Sequence, residues 1–255
     1  MDSNLKVTFL GVNISAGSYS DISRSILKLA KERISSYVCV MNVHMLIEAR
    51  KNFSFADVVD NADLVTPDGM PLAKGISIFH NYHQERIAGM DLLPDLLMSA
   101  EQEGLRVFFY GGTEEMQAAT KLYVKRSFPN LITTGFYSPP FRDLTLDEEN
   151  EIAEKINLSA TNILFVALGC PKQEKWMSGM KGRINSCMIG IGGALPVMVG
   201  IQQRAPTWMQ KNSLEWLYRL YQEPGRLWKR YFYTNSLFIW LFSVEYLKRT
   251  VRPNN

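Results

Sequence analysis

Short apolar runs and helix-length amphipathic segments take turns along residues 1–195 of this chain. The apolar runs are Lys6–Leu10, Tyr37–Met41, Leu64–Thr66, Arg106–Tyr110, Ile132–Phe136, Ile163–Leu168 and Cys187–Ile191. Each is short for a helix and reads as a buried strand. Helical spacing marks Tyr19–Ser35, His44–Lys51, Met90–Glu103, Glu114–Phe128, Leu146–Asn157 and Gln173–Lys181 between them. Strands separated by helices specify α/β architecture, a Rossmann-like parallel sheet with helices on both faces. After about Leu195 the strand signals stop. Two or three helices rich in Trp, Tyr and Arg follow, punctuated by Pro206 and Pro224. The expected division is an α/β domain carrying the chemistry over 1–195 and a helical, basic-aromatic appendage over 196–255.

In an open parallel sheet, ligands bind beyond the carboxyl ends of the strands. Glycines fall just there, at Gly69, Gly111-Gly112, Gly135, Gly169 and Gly192-Gly193. Gly111 and Gly112 precede Thr113, a helix N-cap candidate, so this turn can hold a phosphate at a helix N-terminus. An ordinary βα turn uses the same residues. No P-loop and no GxGxxG run is present, which removes the usual nucleotide and dinucleotide fingerprints.

The same strand ends carry polar side chains. Asp68, in Thr66-Pro-Asp-Gly, is placed to act as a general base toward a hydroxyl, although Pro-Asp-Gly is also a common turn sequence. Asn42 follows the second strand and suits either sugar hydroxyls or the capping of the next helix. His44 falls near the start of that helix, a structural position. Arg86 can meet a diphosphate with both edges of its guanidinium, or pair with a nearby acid. Lys172 and Gln173 open a helix after Gly169 and are candidates for phosphate and for sugar or nucleotide. The alternative there is a plain βα turn.

With only His44, His80 and His83 available, no Ser or Cys triad can be assembled. No Asp-x-Asp pair offers the common metal clamp for a nucleotide-sugar diphosphate. A diphosphate would then be held by basic side chains and helix N-termini, and the C-terminal tail carries a ready supply of arginines. Cys39, Cys170 and Cys187 lie in apolar runs without metal-ligand spacing and read as buried thiols in a reducing compartment. The N-terminus shows no apolar signal core.

The net charge is only +3, and no nucleic-acid partner is expected. From Arg219 onward, however, seven bases face only Glu223 and Glu245. Trp228, Tyr231, Phe232, Tyr233, Phe238 and Trp240 are interleaved with Arg226, Lys229 and Arg230. Some tail residues fit a core-facing helix stripe. The mixture of aromatics and bases fits a helix lying on an anionic membrane surface. The longest apolar run, Leu237–Val244, is far short of the roughly 20 residues that cross a bilayer.

Taken in order, several blocks resemble the bacterial glycosyltransferases of family 26, the WecG/TagA/CpsF group. They are Thr66-Pro-Asp-Gly, Arg86-Ile-Ala-Gly-Met-Asp, Phe109-Tyr-Gly-Gly, Leu168-Gly-Cys-Pro-Lys-Gln-Glu, Gly190-Ile-Gly-Gly-Ala, Arg204-Ala-Pro and Leu214-Glu-Trp-Leu-Tyr-Arg-Leu with Glu223-Pro-Gly-Arg-Leu. The resemblance runs from about Val7 to Tyr231. It implies an inverting, metal-independent transfer, without a cofactor, from a UDP-sugar to a polyprenyl-diphosphate-linked saccharide. That reaction belongs to cell-surface polysaccharide synthesis on the cytoplasmic face of the bacterial plasma membrane. It implies Asp68 as base, Asn42, Arg86 and Gln173 as ligands of sugar or diphosphate, and Arg219 and Arg226 as diphosphate ligands. The appendage would target the membrane and close over the site.

Two positions depart from the family pattern. Val40 stands where members often have Thr, and Leu195-Pro196 where they tend to have Phe-Asp. Both bear on which sugar is moved more than on the reaction type. The remaining readings are a non-catalytic membrane-docked scaffold of a polysaccharide assembly complex and a nucleotide-sugar-modifying enzyme. A homo-oligomer is compatible with the sequence.

Overall fold

A computed structural model describes residues 5–251. Its centre is a six-stranded, all-parallel sheet. The strands are β3 (Ser36–Met41), β4 (Leu64–Pro67), β5 (Arg106–Gly111), β6 (Ile132–Tyr137), β7 (Ile163–Ala167) and β8 (Cys187–Gly190), in the order β4-β3-β8-β7-β5-β6. The continuous apolar runs follow from cover on both faces. Successive side chains alternate across the sheet. Tyr37, Cys39 and Met41 enter one core, and Val38 and Val40 enter the other.

Helices α1 (Tyr19–Lys31), α5 (Gly89–Glu103) and α9 (Ala194–Met198) contribute to the second core, together with α6 (Glu114–Ser127). The first core takes side chains from α2 (Val43–Lys51), α3 (Phe53–Asp60), α4 (Met70–His80), α7 (Leu146–Leu158) and α8 (Lys172–Met180). Complete burial of side chains such as Phe55, Phe108 and Phe165 contributes about 1.5–3 kcal/mol each.

Lys6–Leu10 is not a strand of the parallel sheet. Residues Lys6–Phe9 form β1, paired antiparallel with β2 (Val12–Ser15) outside it. Leu10 and Gly11 close this hairpin with positive φ of 48° and 77°, and a two-residue link permits only an antiparallel return. The hairpin docks where the Val65 N–H donates to Ser15 Oγ at 3.0 Å. Helix α1 also stops short of the predicted Ser35. Glu32 caps it and Arg33 turns away at φ 49°. Helices α3 and α4 fill stretches to which sequence periodicity assigned nothing. Cys39 and Cys187 are buried free thiols, whereas Cys170 is only half-buried.

Beyond α9 come α10 (Thr207–Lys211), α11 (Glu215–Gln222) and the long α12 (Pro224–Val251). Leu227, Tyr231 and Thr234 form the buried side of α12. Phe242 stacks on Phe79 with ring centroids 4.9 Å apart, and Phe238 approaches Phe9 at 6.4 Å. The appendage thus shares the aromatic core beneath the hairpin.

Candidate active site

Strands β3 and β4 run in register, with Met41 beside Pro67. Asn42 and Asp68 therefore leave the sheet side by side. The Asp68 N–H continues the ladder to Met41 O at 2.8 Å, and the Ile87 N–H donates to Pro67 O at 2.9 Å. This second bond folds the Arg86–Gly89 segment back over the strand end. At the start of α5 the Gly89 N–H donates to Asp68 Oδ1 at 3.0 Å. Burial of the carboxyl group, reinforced by the charge of Glu215, pushes the Asp68 pKa up to about 6. The Gly89 hydrogen bond, Arg86 and Arg219 act in the opposite direction. A base with that proton affinity is ionised at neutral pH and still accepts a proton readily.

Asn42 caps α2, with its Oδ1 accepting from the Met45 N–H at 3.1 Å. His44 sits in the first turn of α2, and burial holds its pKa below the ordinary value. Arg86 is a hub. Its Nη1 lies 2.9 Å from Glu215 Oε2, and its Nη2 lies 3.0 Å from Asp91 Oδ2 and 3.3 Å from Gln210 Oε1. Asp91 also takes Arg204 at 2.5 Å. One turn along α11 from Glu215, the Arg219 guanidinium lies on Gly193, where it fills the space of a Cβ.

Gln173 is buried and lies across the end of β8. A Cβ on Gly190 would stand 2.8 Å from its Nε2. Its Oε1 accepts from the Gly169 N–H at 3.1 Å, and its Nε2 donates to Glu174 Oε1 at 2.7 Å. Glu174 is fully buried, which raises its pKa to about 7.

The other predicted ligands stand apart. Gly111 and Gly112 end β5, four strand spacings or about 19 Å from β4 in the sheet order. Their carbonyls accept from Gln117 and Ser138, and the Gly112 N–H donates to Ala167 O. A Cβ on Gly111 would lie 2.6 Å from Ala167 O, so the close strand approach by itself requires glycine. Lys172 is exposed at the start of α8. Arg226 pairs with Glu223 on the surface and stays out of the Asp68 cluster. Among the described residues, no three His, Cys, Asp or Glu side chains converge as a metal site.

Sequence reasoning missed Asp91, Gln210 and Glu215 as members of the cluster, and Glu174 behind Gln173. The i,i+4 spacing of Glu215 and Arg219 was the available signal for one of them, because it sets both on one helix face.

The sequence profile of the glycosyl transferase WecG/TagA/CpsF family matches residues 7–252. Three relatives share the name N-acetylglucosaminyldiphosphoundecaprenol N-acetyl-beta-D-mannosaminyltransferase. That of Bacillus spizizenii is 34% identical over 76% of this chain and 74% of its own length. That of Bacillus subtilis is 30% identical over 87% and 85%. That of Staphylococcus aureus strain MW2 is 25% identical over 97% and 95%. With Asp68 and its arginines assembled at the sheet edge, and the family profile spanning nearly every residue, the chain belongs to the glycosyl transferase WecG/TagA/CpsF family.

Proposed function

We propose that this glycosyltransferase moves a sugar, with inversion, from a UDP-sugar to a polyprenyl-diphosphate-linked saccharide at the inner face of the bacterial plasma membrane. The observation that carries the mechanism is the Asp68 carboxyl, fixed by Gly89 and placed beside Arg86 and Arg219. The acceptor hydroxyl oxygen attacks the anomeric carbon as the bond from that carbon to the diphosphate oxygen breaks. Asp68 takes the hydroxyl proton, and UDP leaves with the bonding electrons. Cationic side chains meet the charge that develops on the leaving diphosphate.

The relatives' names, which join an N-acetylmannosaminyl group to a diphosphoundecaprenol-linked N-acetylglucosamine, support this class of donor and acceptor. Val40 lies directly behind the site, since a Cβ on Gly89 would touch its Cγ1 at 3.4 Å. That contact supports a role for this position in the choice of sugar.

The appendage supports docking on an anionic membrane surface. Trp228, Phe232, Ile239, Trp240 and Leu247 are exposed on α12 away from its buried side. An exposed apolar stripe with Arg226, Lys229 and Lys248 among it matches an anionic interface. No helix among the described residues is long and apolar enough to cross a membrane.

Transfer by purified wild type and Asp68→Asn, with a UDP-sugar and the lipid-linked acceptor, tests the reading. The wild-type rate rises as pH climbs through about 6, where Asp68 gives up its proton. The variant loses about 100- to 10,000-fold in kcat and loses that acid limb. Near wild-type turnover by the variant rejects Asp68 as the base.

A further inference from the structure

The Arg86 fork is fully engaged by protein acceptors. Its side chain is 11% exposed, and both terminal nitrogens are bound, one to Glu215 and the other to Asp91 and Gln210. The two carboxylates differ. Asp91 belongs to α5 and is shared with Arg204, so it stays neutralised whatever Arg86 does. Glu215 comes from α11 and pairs with no other base among the described residues. It also lies close enough to Asp68 to raise its proton affinity, and one turn from Arg219. A guanidinium edge that fits a carboxylate fits a phosphate equally well. Glu215 thus presents one anionic group where a substrate anion would meet Arg86 and Arg219 beside the base.

We propose that Glu215 is an internal anion on Arg86 that the donor's diphosphate displaces, so that Glu215 sets donor affinity. The inference rests on the reading of Arg86 and Arg219 as diphosphate-facing groups. A diphosphate beside a carboxylate that has lost its partner is repelled, so binding requires an exchange: Arg86 passes from Glu215 to the phosphate, and the Glu215 side chain swings out. Gln210 remains a neutral acceptor for Arg86 throughout. The competing role for Glu215 is a clamp that merely holds α11 against the body of the protein, and it makes the opposite prediction.

The test is calorimetric titration of UDP into the full-length wild type, Glu215→Gln, Arg86→Ala and the double variant. Glutamine keeps the size of the side chain and an acceptor for Arg86 but removes the charge. Glu215→Gln should bind UDP about tenfold more tightly, and the gain should vanish when Arg86→Ala is combined with it. Unchanged or weaker binding by Glu215→Gln overturns the exchange and leaves the clamp. Should Glu215→Gln fail to fold, Glu215→Asp withdraws the carboxylate by one methylene and should likewise tighten UDP. Weaker or unchanged binding there overturns the proposal in the same way. UDP bound by neither wild type nor variant would overturn the donor reading itself, and the inference with it.

Discussion

Glu174 has no exposed surface and no ion-pair partner among the described residues. Its Oε2 lacks a hydrogen-bond partner, and its Oε1 holds the Gln173 amide. Burial raises its pKa from 4.5 to about 7. Between those values the unfolded chain gives up this proton while the folded protein keeps it. Stability from this group is therefore complete below about 4.5 and is lost as pH rises through about 7. The loss is on the order of 3 kcal/mol. Glu174→Gln preserves the acceptor for Gln173 and removes the titration. Its melting temperature should exceed that of the wild type at pH 8, with the difference closing by pH 5. Equal pH dependence in the two proteins would reject this account. At this scale the sequence set Asn42, Asp68 and Gln173 just beyond strands, where topology alone positions them, whereas Arg86, between α4 and α5, was marked by its block Arg86-Ile-Ala-Gly-Met-Asp and not by a strand end. It did not show the partners that occupy them. Glu215 and Gln210 reach Arg86 across 129 and 124 residues of chain, and no local pattern records such an approach.

Strands β3, β4, β5, β7 and β8 were legible because they are buried and read as short, mostly apolar runs, whereas the half-exposed edge strand β6 was legible from its position between two helical patterns. The β1–β2 hairpin was not. Its turn is Leu10-Gly11 rather than an Asn-Gly or Asp-Gly pair, and β2 is only four residues long. Helix α3 escaped notice because Phe55 and Val59 are its only buried residues while Phe53 is exposed. The short α9 element shows what an element adds that its residues do not announce. Gly193 caps it with φ −72° and ψ 0°, a conformation open to any residue. Its glycine identity serves Arg219, which occupies the Cβ position. Gly193→Ala should therefore leave stability unchanged or raise it by about 0.4–1 kcal/mol, while turnover falls as Arg219 is pushed from its seat. Thermal melts and transfer rates measured on one preparation check this. A variant that keeps full turnover would show that the seat of Arg219 is immaterial to the reaction.

At the scale of the molecule, the appendage does two things with one helix. Its buried side completes the aromatic core around Phe9 and Phe79, and its outer side leaves Trp228, Phe232 and Trp240 open. Replacing those three exposed residues with Ser should reduce binding to anionic vesicles by at least about tenfold while leaving the melting temperature in place. Undiminished co-sedimentation would remove the outer face from membrane docking.

The order of the sheet also governs when this site comes into being. Ser36 pairs with Cys187 where β3 meets β8, so joining the two halves closes a loop of about 150 residues, an entropically late event. Asn42 and Asp68 belong to one half, and Gly190 and the Gln173 that covers it belong to the other. On a ribosome, β4 and β3 emerge early and wait for β8 and then for α11. The cluster around Asp68 and Arg86 can thus close only after Glu215 on α11 has been made, long after the strand ends that carry Asn42 and Asp68.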